Sequence, residues 1–121
     1  MSKIVYKKMN PEYKKLWIDT LRSGTVDQVH GQLAVVDYKY KRGVGFCCLG
    51  VLGAIYNAKE CPTINLWNSL PTPTIYCEYG NLPEVIIEKA GLGLEEQDVC
   101  ANLNDCGYNF IGIANWIEKN L

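Results

Sequence analysis

Six cysteines and a single histidine are the most reactive side chains of this 121-residue sequence. Cys47, Cys48, Cys61, Cys77, Cys100 and Cys106 are an even set, as three disulfides would require. Two features count against that pairing. With 48% hydrophobic residues the chain can build a core unaided, and Met-Ser-Lys-Ile-Val-Tyr-Lys-Lys at its start lacks the apolar stretch of a secretory leader. Zinc is disfavoured by spacing: the cysteine steps are 1, 13, 16, 23 and 6, none a C-x2-C pair, and His30 stands alone. Nucleophilic chemistry is the third option. Cys47 and Cys48 follow Gly43-Val44-Gly45-Phe46 and are expected to open a helix, whose dipole lowers a thiol pKa. His30 precedes them in an expected strand, and nothing marks it as their base. The plainer reading makes these thiols small buried hydrophobes.

A second chemistry is anion binding. Lys41-Arg42-Gly43-Val44-Gly45, read as a turn leading into the Cys47 helix, combines two cations, two glycines and a helix start. Glycine lets backbone amides, here those of Gly43, Gly45 and Phe46, approach a phosphate, and the helix N-terminus adds positive potential. The run lacks both the P-loop pattern and G-x-G-x-x-G, so an ordinary solvated turn with two exposed cations is the plainer reading. Arg22, one of two arginines, either complements a helix C-terminus or offers a bidentate fork to phosphate. Trp67 and Tyr76, in an expected hairpin, either pack in the core or stack on a base. Asn104 and Asp105 read as turn formers, or as a pair contacting a ribose or adenine edge. Glu95, Glu96 and Asp98 fit a solvated helix N-terminus better than an acid–base pair.

The elements that must position these residues follow from capping and periodicity. Asn10-Pro11-Glu12 starts a helix that Ser23-Gly24 ends, predicting helix from Pro11 to Ser23. Between Thr25 and Tyr40 the period becomes two, predicting one or two antiparallel strands with a break near Gly31 or Ala34. Cys47 to Tyr56 is apolar on every side and predicts a helix buried on all faces. Ile64–Trp67 and Thr74–Tyr79 suggest a hairpin. Leu82-Pro83-Glu84 starts a helix that Gly91 stops, and Leu94 to Leu103 is a further helix. Asn104-Asp105-Cys106-Gly107 is a turn, and Asn109 caps a last helix burying Phe110, Ile113, Ala114, Ile117 and Leu121. The expected architecture is α+β: one domain over residues 1–121, several helices around a small antiparallel sheet.

Composition removes whole function classes. Twelve Lys and Arg against 13 Asp and Glu leave a net charge of −1, too little positive charge for nucleic-acid polymers held through phosphates. No apolar run reaches the roughly 20 residues of a membrane span, so a cytoplasmic protein is expected.

Taken together, Leu16-Trp17, Leu21-Arg22-Ser23-Gly24, Gly31-Gln32-Leu33 and Phe46-Cys47-Cys48-Leu49-Gly50-Val51-Leu52 resemble a family of small phage and prophage proteins. The likeness continues through Leu82-Pro83, Ala90-Gly91-Leu92, Leu103-Asn104-Asp105 and Gly107 to Phe110, Ile113-Ala114 and Ile117-Glu118. Members usually carry another cysteine where this chain has Gly53, and their position near His30 is not tied to histidine, which weakens a Cys/His dyad. By analogy with the Thoeris anti-defence proteins, which sequester cyclic ADP-ribose isomers, the resemblance implies a non-enzymatic sponge. Such a protein would need no cofactor, would form a homo-oligomer in the bacterial host cytoplasm, and would hold a small phosphorylated or nucleotide ligand. Lys41, Arg42 and the 43–46 amides would hold phosphate with help from Arg22, and Trp67 or Tyr76 would stack on the base. A protein-binding inhibitor or adaptor, and a cysteine hydrolase using Cys47 or Cys48, are the alternatives.

Overall fold

The computed structural model describes residues 5–30, 34–40, 44–60, 82 and 84–121. Its first helix, α1 (Pro11–Arg22), begins where a side chain can replace a missing intrahelical partner: Asn10 Oδ1 accepts from Glu12 N at 2.9 Å. Proline then occupies a position whose N–H would be unused, and Ser23 ends the helix by donating its N–H to Thr20 O. Tyr13, Trp17, Ile18 and Leu21 form the buried stripe. The chain reverses through Gly24 at φ 72°, a conformation that costs glycine nothing.

Three short strands follow: β1 (Asp27–Gln28), β2 (Ala34–Val36) and β3 (Val44–Phe46). Their order is β1-β3-β2, with β2 and β3 antiparallel and β1 and β3 parallel. The expected purely antiparallel sheet is therefore corrected to a small sheet holding a parallel pair. Alternation identifies a strand and its faces but carries no instruction about which strand becomes its neighbour. The central strand β3 lies in the segment read as a turn and helix start.

Beyond β3 comes α2 (Cys48–Glu60), which ends four residues past the expected Tyr56 and is buried on every face from Cys48 to Ile55. It packs against α1 and α4, and α1 packs against α5. α3 (Glu84–Ala90), α4 (Leu94–Asp105) and α5 (Phe110–Asn120) complete five helices among the described residues, making the domain mostly helical. The face expected on α5 is buried as a set, Phe110, Ile113, Ala114, Ile117 and Leu121. Asn109 Oδ1 caps it by accepting from Gly112 N at 2.8 Å. The expected hairpin over Ile64–Tyr79 falls outside the described residues.

The N-terminal segment closes the structure. Met9 N donates to Leu121 O at 3.2 Å and Asn10 N to Ala90 O at 2.8 Å, so the entry to α1 is tied to the ends of α5 and α3. That approach needs Gly91 twice over. Its φ is 71°, and a Cβ there would lie 2.9 Å from Asn10 N and 3.4 Å from Met9 Cα. Gly24 has nearly the same φ with nothing within 4 Å, so the two positions separate backbone strain from collision. Gly24→Ala is expected to cost about 1–2 kcal/mol from the left-handed conformation alone. Gly91→Ala is expected to cost clearly more, measured by urea unfolding; equal losses would show that the contact with Asn10 carries no energy.

Candidate functional site

The start of α2 is where the candidate residues and the core meet. An apolar helix buried at its N-terminus still presents N–H groups without intrahelical partners, and these must be bonded inside the protein. Asn104, 1% exposed, answers that need. Its Oδ1 accepts from Cys48 N at 3.2 Å and from Gln28 Nε2 at 2.8 Å, and its Nδ2 donates to Val29 O at 2.8 Å. Cys47 Sγ accepts from Gly50 N at 3.4 Å, so a thiol serves as a cap. Gln28 Nε2 also donates to Tyr108 O. One carboxamide thus joins α4, α2 and the sheet. Asn104, expected in a turn, lies in the last turn of α4, whose helix runs to Asp105. The sequence hint was limited to a helical apolar pattern running into Asn-Asp, which turn propensity obscured.

The same node sets the chemistry of the thiols. Cys48 Sγ donates to Cys100 O at 3.3 Å, and Trp17 Nε1 donates to Cys48 O at 2.8 Å. Burial pushes the Cys47 thiol up, pushes Cys48 well up, and raises Cys100 to about 12. An activated nucleophile needs the opposite shift. Desolvation outweighs whatever the helix dipole contributes here. Cys106, at the C-cap of α4, is exposed. His30 is exposed too.

Val44 and Gly45, expected in a turn, and Phe46 form β3, which runs up to the start of α2. Gly45 pairs with Asp27 on one side and Val35 on the other, within a central strand. A Cβ on Gly45 would come within 2.6 Å of Val29 Cγ1 and 3.2 Å of the Tyr40 ring. Its smallness therefore serves close packing. Phe46 is 1% exposed and belongs to the core. Asp105 is exposed next to the buried Asn104, so the adjacent pair divides between surface and interior. Lys41, Arg42, Gly43, Trp67 and Tyr76 lie outside the described residues.

Arg22 sits elsewhere, in a cleft of about 300 Å³ lined from α1 and α5. Lys14 and Lys15 share that cleft, with Ile18, Asp19 and Glu118. Both guanidinium ends engage Glu118, at 3.2 and 3.1 Å, and Nη2 also donates to Asn115 Oδ1 at 2.8 Å. These bonds use three of the five guanidinium N–H groups and hold the plane in one orientation. The fork also draws the Glu118 carboxyl below its ordinary range. That tie is complete above the usual glutamate range and is lost as pH falls through the lowered value. Lys14 Nζ donates to Glu118 O at 3.2 Å, and Lys15 pairs with Asp19 at 2.9 Å. The sequence reading found Arg22 but missed the two lysines, which helical spacing could have placed beside it.

No helix among the described residues is long and apolar enough to cross a membrane. A family described as a domain of unknown function, DUF8296, matches residues 9–121. No curated protein and no solved structure matches the chain.

Two measurements test this reading of the site. Asn104→Ala leaves Cys48 N–H and Val29 O without their side-chain partner in the interior, at about 1–3 kcal/mol for each orphaned group. Urea unfolding is expected to show that loss; unchanged stability would remove Asn104 from the scaffold. Thiol labelling at mildly alkaline pH is expected to modify Cys106 rapidly, and Cys47, Cys48 and Cys100 only as fast as the protein unfolds. Labelling of Cys47 or Cys48 at the rate of Cys106 would restore a reactive thiol.

Proposed function

We propose that this chain, which belongs to the DUF8296 family, is a phage or prophage protein that binds a cyclic nucleotide-type immune signal and holds it without cleaving it. The observation that carries the reading is the cleft between α1 and α5, where Lys14, Lys15 and Arg22 stand against Asp19 and Glu118. Three cations against two carboxylates leave one net positive charge around about 300 Å³. That suits a single phosphate group better than a nucleic-acid backbone, whose affinity comes from many contacts. Held by Glu118 and Asn115, the guanidinium plane is already fixed, so less side-chain entropy is lost when its remaining N–H groups meet a phosphate oxygen. The apolar wall supplied by Pro11 and Ile18 gives the non-phosphate part of such a ligand a surface to lie on.

Buried, high-pKa thiols support capture rather than hydrolysis, since neither Cys47 nor Cys48 is placed as an attacking group. Motif resemblance supports the phage origin. In this reading Lys41 and Arg42 add local charge and Trp67 or Tyr76 adds an aromatic face, in a homo-oligomer within the host cytoplasm.

The test is to incubate the full chain with cyclic dinucleotides and cyclic ADP-ribose isomers, then heat-denature it and analyse the released compound by mass. Intact ligand at stoichiometric yield is expected, with binding weakened about ten-fold by Lys14→Ala/Arg22→Ala, a loss near 1.4 kcal/mol. Release of a cleaved product would overturn the sponge. No binding to any of these compounds would end the reading altogether.

A further inference from the structure

A second surface has the opposite charge. An open groove of about 690 Å³ runs along α3 and α4, with Leu82, Ile87 and Leu92 among its apolar lining. Leu82 and Leu92 are almost fully buried, whereas Leu94 on the wall is 70% exposed. Along the same groove stand Glu84 and Glu88 from α3 and Asp98 from α4. Glu84 and Glu88 are one helical turn apart, which puts them on one face of α3, and Leu94 and Asp98 repeat that spacing on α4. Lys7 is the only cation lining it among the described residues, so three carboxylates against one ammonium leave a formal charge of −2.

That combination selects among classes of occupant. A phosphate-bearing ligand, a nucleic acid or an anionic membrane would be repelled by the carboxylates. A small hydrophilic polycation would gain nothing from the leucine and isoleucine floor. An amphipathic helix with apolar anchors at i, i+3, i+4 and i+7, flanked by Lys or Arg, satisfies both features at once. Its anchors would remove Leu94 and Ile87 from water, and its flanking cations would meet carboxylates on both walls. Charge complementarity of this kind acts mainly on association rate and partner choice, while burial of Leu94 and the half-buried Ile87 supplies residence time.

We propose that the α3–α4 groove is a docking site for a basic amphipathic helix of a partner protein. The groove shares no lining residue with the cationic cleft, so this assignment stands or falls independently of the ligand reading.

Fluorescence anisotropy with the full chain tests it, using a labelled peptide of roughly 15 residues, enough for a helix once bound. The probe carries leucine at the anchor positions and lysine elsewhere; a scrambled peptide of identical composition is the control. The ordered peptide is expected to bind at least about ten-fold tighter than the scramble, and more weakly as salt rises. Glu84→Lys/Glu88→Lys is expected to reduce that affinity about ten-fold, whereas Arg22→Ala leaves it unchanged. Leu94→Ala, at an exposed position that the fold does not depend on, is expected to weaken binding without abolishing the salt dependence. Equal binding of ordered and scrambled peptides, or full affinity in both groove variants, would overturn the docking site.

Discussion

A helix without a polar face cannot rest on a surface, and its unpaired backbone groups cannot reach water. α2 imposes both conditions, with Cys48, Leu49, Val51, Leu52 and Ala54 all fully buried. The surrounding elements are arranged to meet them. α1 and α4 close over its sides, α5 backs α1, and three side-chain bonds converge on one residue. Cys48 receives Asn104 at its N–H and Trp17 at its carbonyl, and gives its thiol proton to Cys100 O. Deleting any of these leaves a polar group in the interior, which costs more than the bond contributes when formed.

The same constraint determines what the cysteines can do. Three thiols drawn into the interior to fill space around α2 become poor acids, because no solvent stabilises their thiolates. Cys47 keeps a polar role as an acceptor for Gly50 N–H. The surface, by contrast, carries charge that is unevenly distributed. Lys14, Lys15 and Arg22 gather on α1, while Glu84, Glu88 and Asp98 gather along α3 and α4. A net charge of −1 conceals these two regions of opposite sign.

Much of the scaffold was legible residue by residue. Asn10-Pro11, Gly24, Gly91 and Asn109 mark helix ends by local rules, because capping and positive φ depend on a few neighbouring atoms. The apolar run after Phe46 announced burial for a similar reason: no rotation of such a helix hides its hydrophobic side from water. The sheet was less legible. β3 is three residues long and falls largely in the segment that its glycines mark as a turn, and its parallel pairing with β1 joins residues 18 positions apart. Asn104 was misplaced because turn-forming residues and the last turn of a helix share the same composition.

Sequence alone determined the start and end of α1, the stop of α3 at Gly91, the cap of α5, the all-apolar character of α2 and the near balance of charge, each a property of local or summed residue types. Tertiary structure decided what those residue types are for. It turned Asn104 from an expected ligand contact or turn former into the cap of a buried helix, and Gly45 into a contact that admits no side chain. It placed Arg22 against Glu118 and Asn115, 96 and 93 residues away, which no spacing rule links to it. Side-chain function depends on neighbours in space, and in a domain whose core is one enclosed helix those neighbours come from distant parts of the chain.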